Sequence, residues 1–203
     1  MPVVPPPNEA PERAESTGRA EQAARGEGKR EYVQQMFSDI APRYDLLNHV
    51  LSMNLDTGWR RKALRALQWS QRPAGSYLDL CAGTLDVGAA LVKQLGFTGF
   101  VIGADFAVPM LRHGNGKAPR DVLAPVGADA LALPFAGASF DGAIVAFGIR
   151  NVADLDAGLR EVHRVLTPGA RFVILESPRR RWRSCAPSTT CTFITCCRWW
   201  DVS

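Results

Sequence analysis

No apolar run in the chain approaches the roughly 18 residues needed to cross a bilayer, and the start, Met1-Pro-Val-Val-Pro-Pro-Pro7, lacks the charged-then-apolar pattern of a signal peptide. These absences lead to the expectation of a cytoplasmic protein whose membrane contact, if it makes any, is peripheral at the inner face. An excess of charge of either sign is missing from the body of the chain. The net charge of +4 would suggest a polyanionic partner, but residues 177–203 hold five arginines and one aspartate, which leaves 19 basic and 19 acidic side chains in residues 1–176. The body is neutral, and no nucleic-acid partner is expected. Cysteine is equally scarce there: only Cys81 lies in the body, whereas Cys185, Cys191, Cys196 and Cys197 crowd the tail without paired C-x-x-C spacing or histidine partners, so no metal site is expected. Large apolar side chains are almost missing from residues 1–29, which read as a disordered extension unable to bury enough surface to offset ordering.

At 203 residues the chain has room for one α/β domain with a sizeable core. From Arg30 to about residue 70 apolar residues recur at helical spacing, with Pro42 and Gly58 expected to break the pattern into pieces. Strand-like runs at 77–81, 100–104, 123–127, 142–146 and 171–175 then alternate with helical stretches at 86–95, 107–113 and 154–166, the last stopped by Thr167-Pro-Gly169. Alternating β and α implies a doubly wound, mostly parallel sheet, Rossmann-like in its crossovers, over residues 76–176 behind a helical lid at 30–70.

The stretch Tyr77-Leu-Asp-Leu-Cys-Ala-Gly-Thr-Leu-Asp86, followed about 20 residues later by Val101-Ile-Gly-Ala-Asp105, has the layout of a nucleoside-cofactor site: strand, tight glycine turn, helix, and a second strand ending on a carboxylate. A dinucleotide loop would read G-x-G-x-x-G so that the backbone could approach a pyrophosphate. Here that pattern is absent, and Asp79 and Asp86 flank the turn. Carboxylates repel a diphosphate and attract a cation. The turn therefore fits S-adenosylmethionine, which has a sulfonium, an ammonium and no phosphate, and argues against a nicotinamide oxidoreductase. Gly83 sits where the strand must turn sharply and let a ligand approach the backbone, and Asp105 stands where an acidic residue accepts hydrogen bonds from ribose hydroxyls.

Seven segments, in order, carry a family resemblance: Phe37-Ser-Asp-Ile-Ala-Pro-Arg-Tyr-Asp-Leu-Leu-Asn48, Leu78-Asp-Leu-Cys-Ala-Gly-Thr84, Gly103-Ala-Asp105, Ala128-Asp-Ala-Leu-Ala-Leu-Pro-Phe135, Ser139-Phe-Asp141, Phe147-Gly-Ile-Arg-Asn-Val152 and Arg164-Val-Leu-Thr-Pro-Gly169. Together they resemble the menaquinone/ubiquinone C-methyltransferase family, the UbiE/MenG type, from about Tyr32 to Glu176. The resemblance implies a class I methyltransferase fold, S-adenosylmethionine as cofactor, and methyl transfer to a ring carbon of a prenylated quinol precursor. A methyltransferase acting on another small molecule, or an inactive truncated member, is the alternative. It further implies cofactor contacts at Thr84, at Asp129 and at Ala130, with Asp79 either orienting the loop or receiving the methionine ammonium. Phe106 and Met110 read either as apolar neighbours of the adenine or as core.

Position 85 is usually glycine in such proteins and is Leu85 here, which predicts a loop unable to take positive φ; Ala146 replaces a frequent serine. Ring-carbon attack requires an ionised or hydrogen-bonded hydroxyl and a route for the ring proton. The catalytic candidates are Arg150 and Asn151 after the fourth strand, with Tyr44 and Asp45 from the lid; each reads equally as a structural hydrogen bond between lid and sheet. His49 and His163 read as surface or packing residues. The stretch Val33 to Met53 is expected to cap the pocket and, through Phe37, Leu46, Leu47 and Leu51, to receive a polyprenyl tail, unless those side chains only pack on the sheet.

Residues 177–203 have no helical or strand period. Shifting the reading frame by one base turns residues 188–203 into a string that resembles the family's own continuation, so a one-base deletion near codon 177 is expected. The domain would then lack its last strands, leaving a sheet edge uncovered.

Overall fold

The computed structural model describes Met36, residues 55–176 and residues 190–195. The described chain begins with helix α1 (Leu55–Leu67) and continues as β1 (Ser76–Leu80), α2 (Asp86–Val92), β2 (Phe100–Asp105), α3 (Val108–Gly114), β3 (Leu123–Gly127), β4 (Phe140–Ala146), α4 (Leu155–Val165), β5 (Leu166–Glu176) and β6 (Thr190–Thr195). All strand pairs are parallel and the order is β3-β2-β1-β4-β5-β6. The chain winds outward from β1 through β2 to β3, then crosses back to place β4 on the other side of β1. That reversal opens a crevice at the carboxyl ends of β1 and β4, where α/β sheets take their ligands.

Period-two alternation explains why both faces are covered. Tyr77, Ile144, Val173 and Leu175 enter the core shared with Ala63, Leu64 and Leu67 of α1 and Val87 and Leu91 of α2. Their neighbours Leu78, Leu80, Val145, Phe172 and Ile174 point the opposite way, into the core closed by Val162 and Val165 of α4. A strand apolar at every position must be buried on both faces, and a parallel sheet between two helical layers supplies that burial.

The expected strands and helices form within a few residues of their predicted bounds. Helix α4 is capped by Asp154, whose carboxylate accepts the Ala157 N–H at 3.0 Å. It stops at Val165, and Thr167-Pro-Gly169 lies inside β5, where the register against β4 jumps from Phe140↔Leu166 to Gly142↔Arg171. At the end of the sheet remote from the crevice, Asp141 accepts the Ser76 N–H at 3.0 Å and pairs with Arg72. The aspartate of the Ser139-Phe-Asp141 motif thus joins the starts of β1 and β4.

Two expectations are corrected. Gly58 does not interrupt α1: burial of Ala63, Leu64 and Leu67 outweighs the roughly 1 kcal/mol that a helical glycine costs. The tail, read as lacking any strand period, contributes β6, which pairs with β5 from Arg171↔Thr190 to Glu176↔Thr195. Its sequence, Thr-Cys-Thr-Phe-Ile-Thr, is rich in β-branched and aromatic residues, which suit a pleated surface, and alternates in polarity only as far as Phe193. Pro42 and the stretch 30–54, Met36 apart, lie outside the described residues.

Phe172 is fully buried between β4 and α4. Replacing it with alanine is expected to cost about 3–5 kcal/mol of unfolding free energy, measured as a lowered urea midpoint with unchanged slope.

Candidate functional site

After β1 the chain makes a tight turn from Cys81 to Leu85 in which Cys81, Gly83 and Leu85 all have left-handed backbone, with φ of 53°, 53° and 64°. The Ala82 N–H donates to the Ala104 carbonyl at 3.1 Å and the Leu85 N–H to the Ala82 carbonyl at 2.8 Å. Asp105 closes the arrangement from the end of β2. One carboxylate oxygen accepts the Gly83 N–H at 2.8 Å and the other accepts the Ala107 N–H at 2.7 Å. Burial raises the Asp105 pKa above the usual carboxylate range, and the Ala107, Gly83 and Phe106 amides limit the rise.

This turn forms one wall of an open cleft at the carboxyl ends of β1, β2 and β4, where α/β sheets take their ligands. Asp105 and Asp129 supply two carboxylates and Asn151 an amide; among the described residues no lysine or arginine lines it. Phe106, Ala107, Met110 and Ala130 make an apolar wall. Asp129 is set by an Asx turn in which its Oδ1 accepts the Leu131 N–H at 3.0 Å. An acidic, partly apolar cleft suits a cationic nucleoside and opposes a diphosphate.

Of the residues singled out from sequence, Gly83, Asp105, Phe106, Asp129, Ala130 and Asn151 line this cleft, as do Met110 and Ala146. Asp79 and Thr84 do not. Asp79 is 1% exposed and accepts the Gly88 N–H of α2 at 2.8 Å. Thr84 is buried beneath the loop. Arg150 lies outside the lining with a side chain 57% exposed, its Nη1 3.4 Å from Oε1 of Glu176. Tyr44, Asp45, Phe37, Leu46, Leu47, His49 and Leu51 lie outside the described residues. Leu85 corrects the expectation placed on it: it adopts positive φ because its side chain is almost fully buried.

Several cleft residues escaped sequence reasoning. Cys81 faces the cleft, and burial together with Asp105, Asp79 and Asp129 pushes its thiol pKa up. Phe147, itself at φ 59°, donates its N–H to the Leu175 carbonyl and packs its ring 6.3 Å from that of Trp59 on α1. Gly148 must be small, because a Cβ there would lie 2.3 Å from the Cys81 Cβ. Phe147 and Gly148 belong to a quoted motif, but their part in the cleft depends on pairing between β4 and β5. Glu176, 7% exposed at the end of β5, belongs to no quoted motif and stands outside the lining, beside Arg150.

Asp86 links the turn to α1. Burial would raise its pKa, but Lys117 and Arg60, the latter at 2.9 Å, outweigh burial and hold the carboxyl below its ordinary range.

A parallel sheet in this order, helices on both faces and a carboxylate-lined cleft at the strand reversal define the Rossmann-like fold of class I methyltransferases. Solved structures share it. A chain of the complex between the Haloferax volcanii Trm112 methyltransferase activator and a methyltransferase superposes with TM-score 0.56 at 24% identity, covering 67% of this chain and 57% of that one. An S-adenosylmethionine-dependent methyltransferase from Mesorhizobium loti gives TM-score 0.52 at 26% identity, covering 60% and 54%. The model of the ubiE/COQ5 methyltransferase family matches residues 25–187, and the chain belongs to that family. It is similar to the ubiquinone/menaquinone biosynthesis C-methyltransferase UbiE of Geobacter sulfurreducens, 43% identical over 159 residues that cover 75% of this chain and 61% of the relative. It is also similar to the demethylmenaquinone methyltransferase of Thermus thermophilus, 48% identical over 145 residues covering 70% and 64%. The chain spans about six-tenths of the length of these relatives.

Burial raises the Asp79 pKa to about 7, against the opposing pull of the Gly88 amide and Arg60. An acid whose folded pKa exceeds its unfolded value binds more protons when folded, so its contribution to stability is complete below about pH 4 and is lost as pH rises through about 7. Asp79→Asn keeps an acceptor for Gly88 and removes this titration. The stability difference between variant and wild type, from urea unfolding, should therefore shift in the variant's favour between pH 5 and pH 8.

Proposed function

We propose that the chain binds S-adenosylmethionine in this cleft and methylates a ring carbon of a prenylated quinol precursor, demethylmenaquinol or its ubiquinone-pathway equivalent. The observation that carries the cofactor half is the pair of carboxylates, Asp105 and Asp129, that line the cleft at the strand reversal of a chain in the ubiE/COQ5 family. The substrate half rests on the relatives, named for ubiquinone/menaquinone and demethylmenaquinone methylation.

Asp105 would hold the ribose: each of its oxygens already accepts one backbone N–H and retains lone-pair capacity for a hydroxyl. Asp129 and Ala130 would border the adenine, with Phe106 and Met110 as its apolar wall. Bound there, S-adenosylmethionine supplies an electrophilic methyl group whose transfer replaces one ring proton and leaves S-adenosylhomocysteine. Asn151 reaches the same cleft and would hydrogen-bond the substrate hydroxyl. Arg150, anchored through Glu176, would stabilise phenolate charge at its edge. Tyr44 from the lid would relay the departing proton, with Asp45 beside it in sequence as a further catalytic candidate. Positioning two bound reactants supplies most of the acceleration in such a design. The lid would receive the prenyl tail where a cytoplasmic enzyme touches the membrane; none of the helices among the described residues is long and apolar enough to cross one.

The chain's tail belongs to the same proposal: a one-base deletion near codon 177 separates a methyltransferase domain at 30–176 from an out-of-frame end. Resequencing tests this, and an intact frame at that codon would remove it.

Calorimetry should show binding of S-adenosylhomocysteine but not of NAD. Asp105→Ala should weaken binding about 100-fold or more, since each hydrogen bond to a charged group is worth about 1.5–3 kcal/mol. Mass spectrometry of a demethylmenaquinol analogue should show a gain of one methyl group with the frame-repaired chain. No transfer by either the repaired or the present chain would count against the substrate assignment.

A further inference from the structure

Leu85 holds a backbone conformation that its side chain disfavours. At φ 64° and ψ 20° it sits in the left-handed region immediately before α2, where the Cβ of a leucine crowds the backbone. Something must keep it there, and the surroundings show what does. Its side chain is 2% exposed and enters a slot with a glycine on each wall. A Cβ on Gly103 of β2 would lie 2.2 Å from Leu85 Cδ2, and one on Gly114 of α3 would lie 2.9 Å from Leu85 Cγ. Complete burial of the leucine side chain offsets the backbone cost. The slot exists only because neither glycine carries a side chain.

The seat also determines where the turn stands. Leu85 fastens the end of the turn to β2 and α3, while the Gly83 N–H fastens its middle to Asp105 on the same β2. Both fastenings run to the strand that carries the proposed ribose carboxylate, yet Leu85 itself does not line the cleft. We propose that Leu85 is a positioning residue for the cofactor: seated between Gly103 and Gly114, it holds the Cys81–Leu85 turn at the distance from Asp105 that a bound nucleoside requires. This rests on the cofactor reading above.

The test uses the full chain with Leu85→Ala, Gly103→Ala, the double variant, Leu85→Met, and Val162→Ala as a control that trims the core on the other face. Two quantities are read: the Kd for S-adenosylhomocysteine, and hydrogen–deuterium exchange in the peptide spanning residues 81–86. Leu85→Ala, which empties the slot, and Gly103→Ala, which fills it, should each weaken binding roughly tenfold and speed exchange in that peptide. The double variant should bind more tightly than the two losses combined imply, because the new methyl occupies volume the leucine branch has left. Leu85→Met, which conserves volume, should stay within about threefold of wild type. Val162→Ala should lower Tm and leave both readouts unchanged.

Wild-type affinity and exchange in Leu85→Ala and Gly103→Ala would overturn the proposal. So would strict additivity in the double variant, or losses of affinity that merely track Tm as in the control. If the wild type binds no nucleoside ligand, the cofactor reading fails by itself, and the exchange measurements still decide whether Leu85 holds the turn.

Discussion

The carboxylate of Asp105 is the constraint on which the cleft depends. By accepting one N–H from the turn after β1 and another from the chain leaving β2, it joins two loops that are adjacent only because β1 and β2 pair in parallel. Those loops form one side of the cleft. The same carboxylate is kept in a poorly solvated place, which is why its pKa rises, and it is stabilised there by oriented amides rather than by a cation. A lysine or arginine at this point would neutralise the feature that distinguishes the cleft from a phosphate site.

Around that clamp the acidic groups divide by task. Asp79, behind the turn, holds α2 through the Gly88 amide, and Asp86 ties the turn to α1 and to Lys117. Asp105 and Asp129 face the open space. Four aspartates within one small region would repel one another in water-poor surroundings. Amides and two cations outside the lining limit that repulsion, leaving the cleft negative without making the fold untenable.

Much of the fold was legible because each signal was local. Short apolar runs separated by helical periods announce a parallel sheet, and strand ends marked by Gly83 and Asp105 announce its ligand edge. What could not be read depended on neighbours distant in sequence. Gly58 looked like a breaker, but packing of the residues after it kept the helix intact. The tail showed little alternation, yet its β-branched residues pair along β5. Leu85 looked incompatible with positive φ because its slot is made by Gly103 and Gly114, 18 and 29 positions away.

The sequence alone determined the fold class and the family, since these follow from residue type and spacing along the chain. Tertiary structure decided which aspartates face the cleft and which are buried struts, where Arg150 points, and how a leucine came to occupy a left-handed turn. Those outcomes arise from burial and hydrogen bonding between segments that only the parallel pairing of the strands brings together.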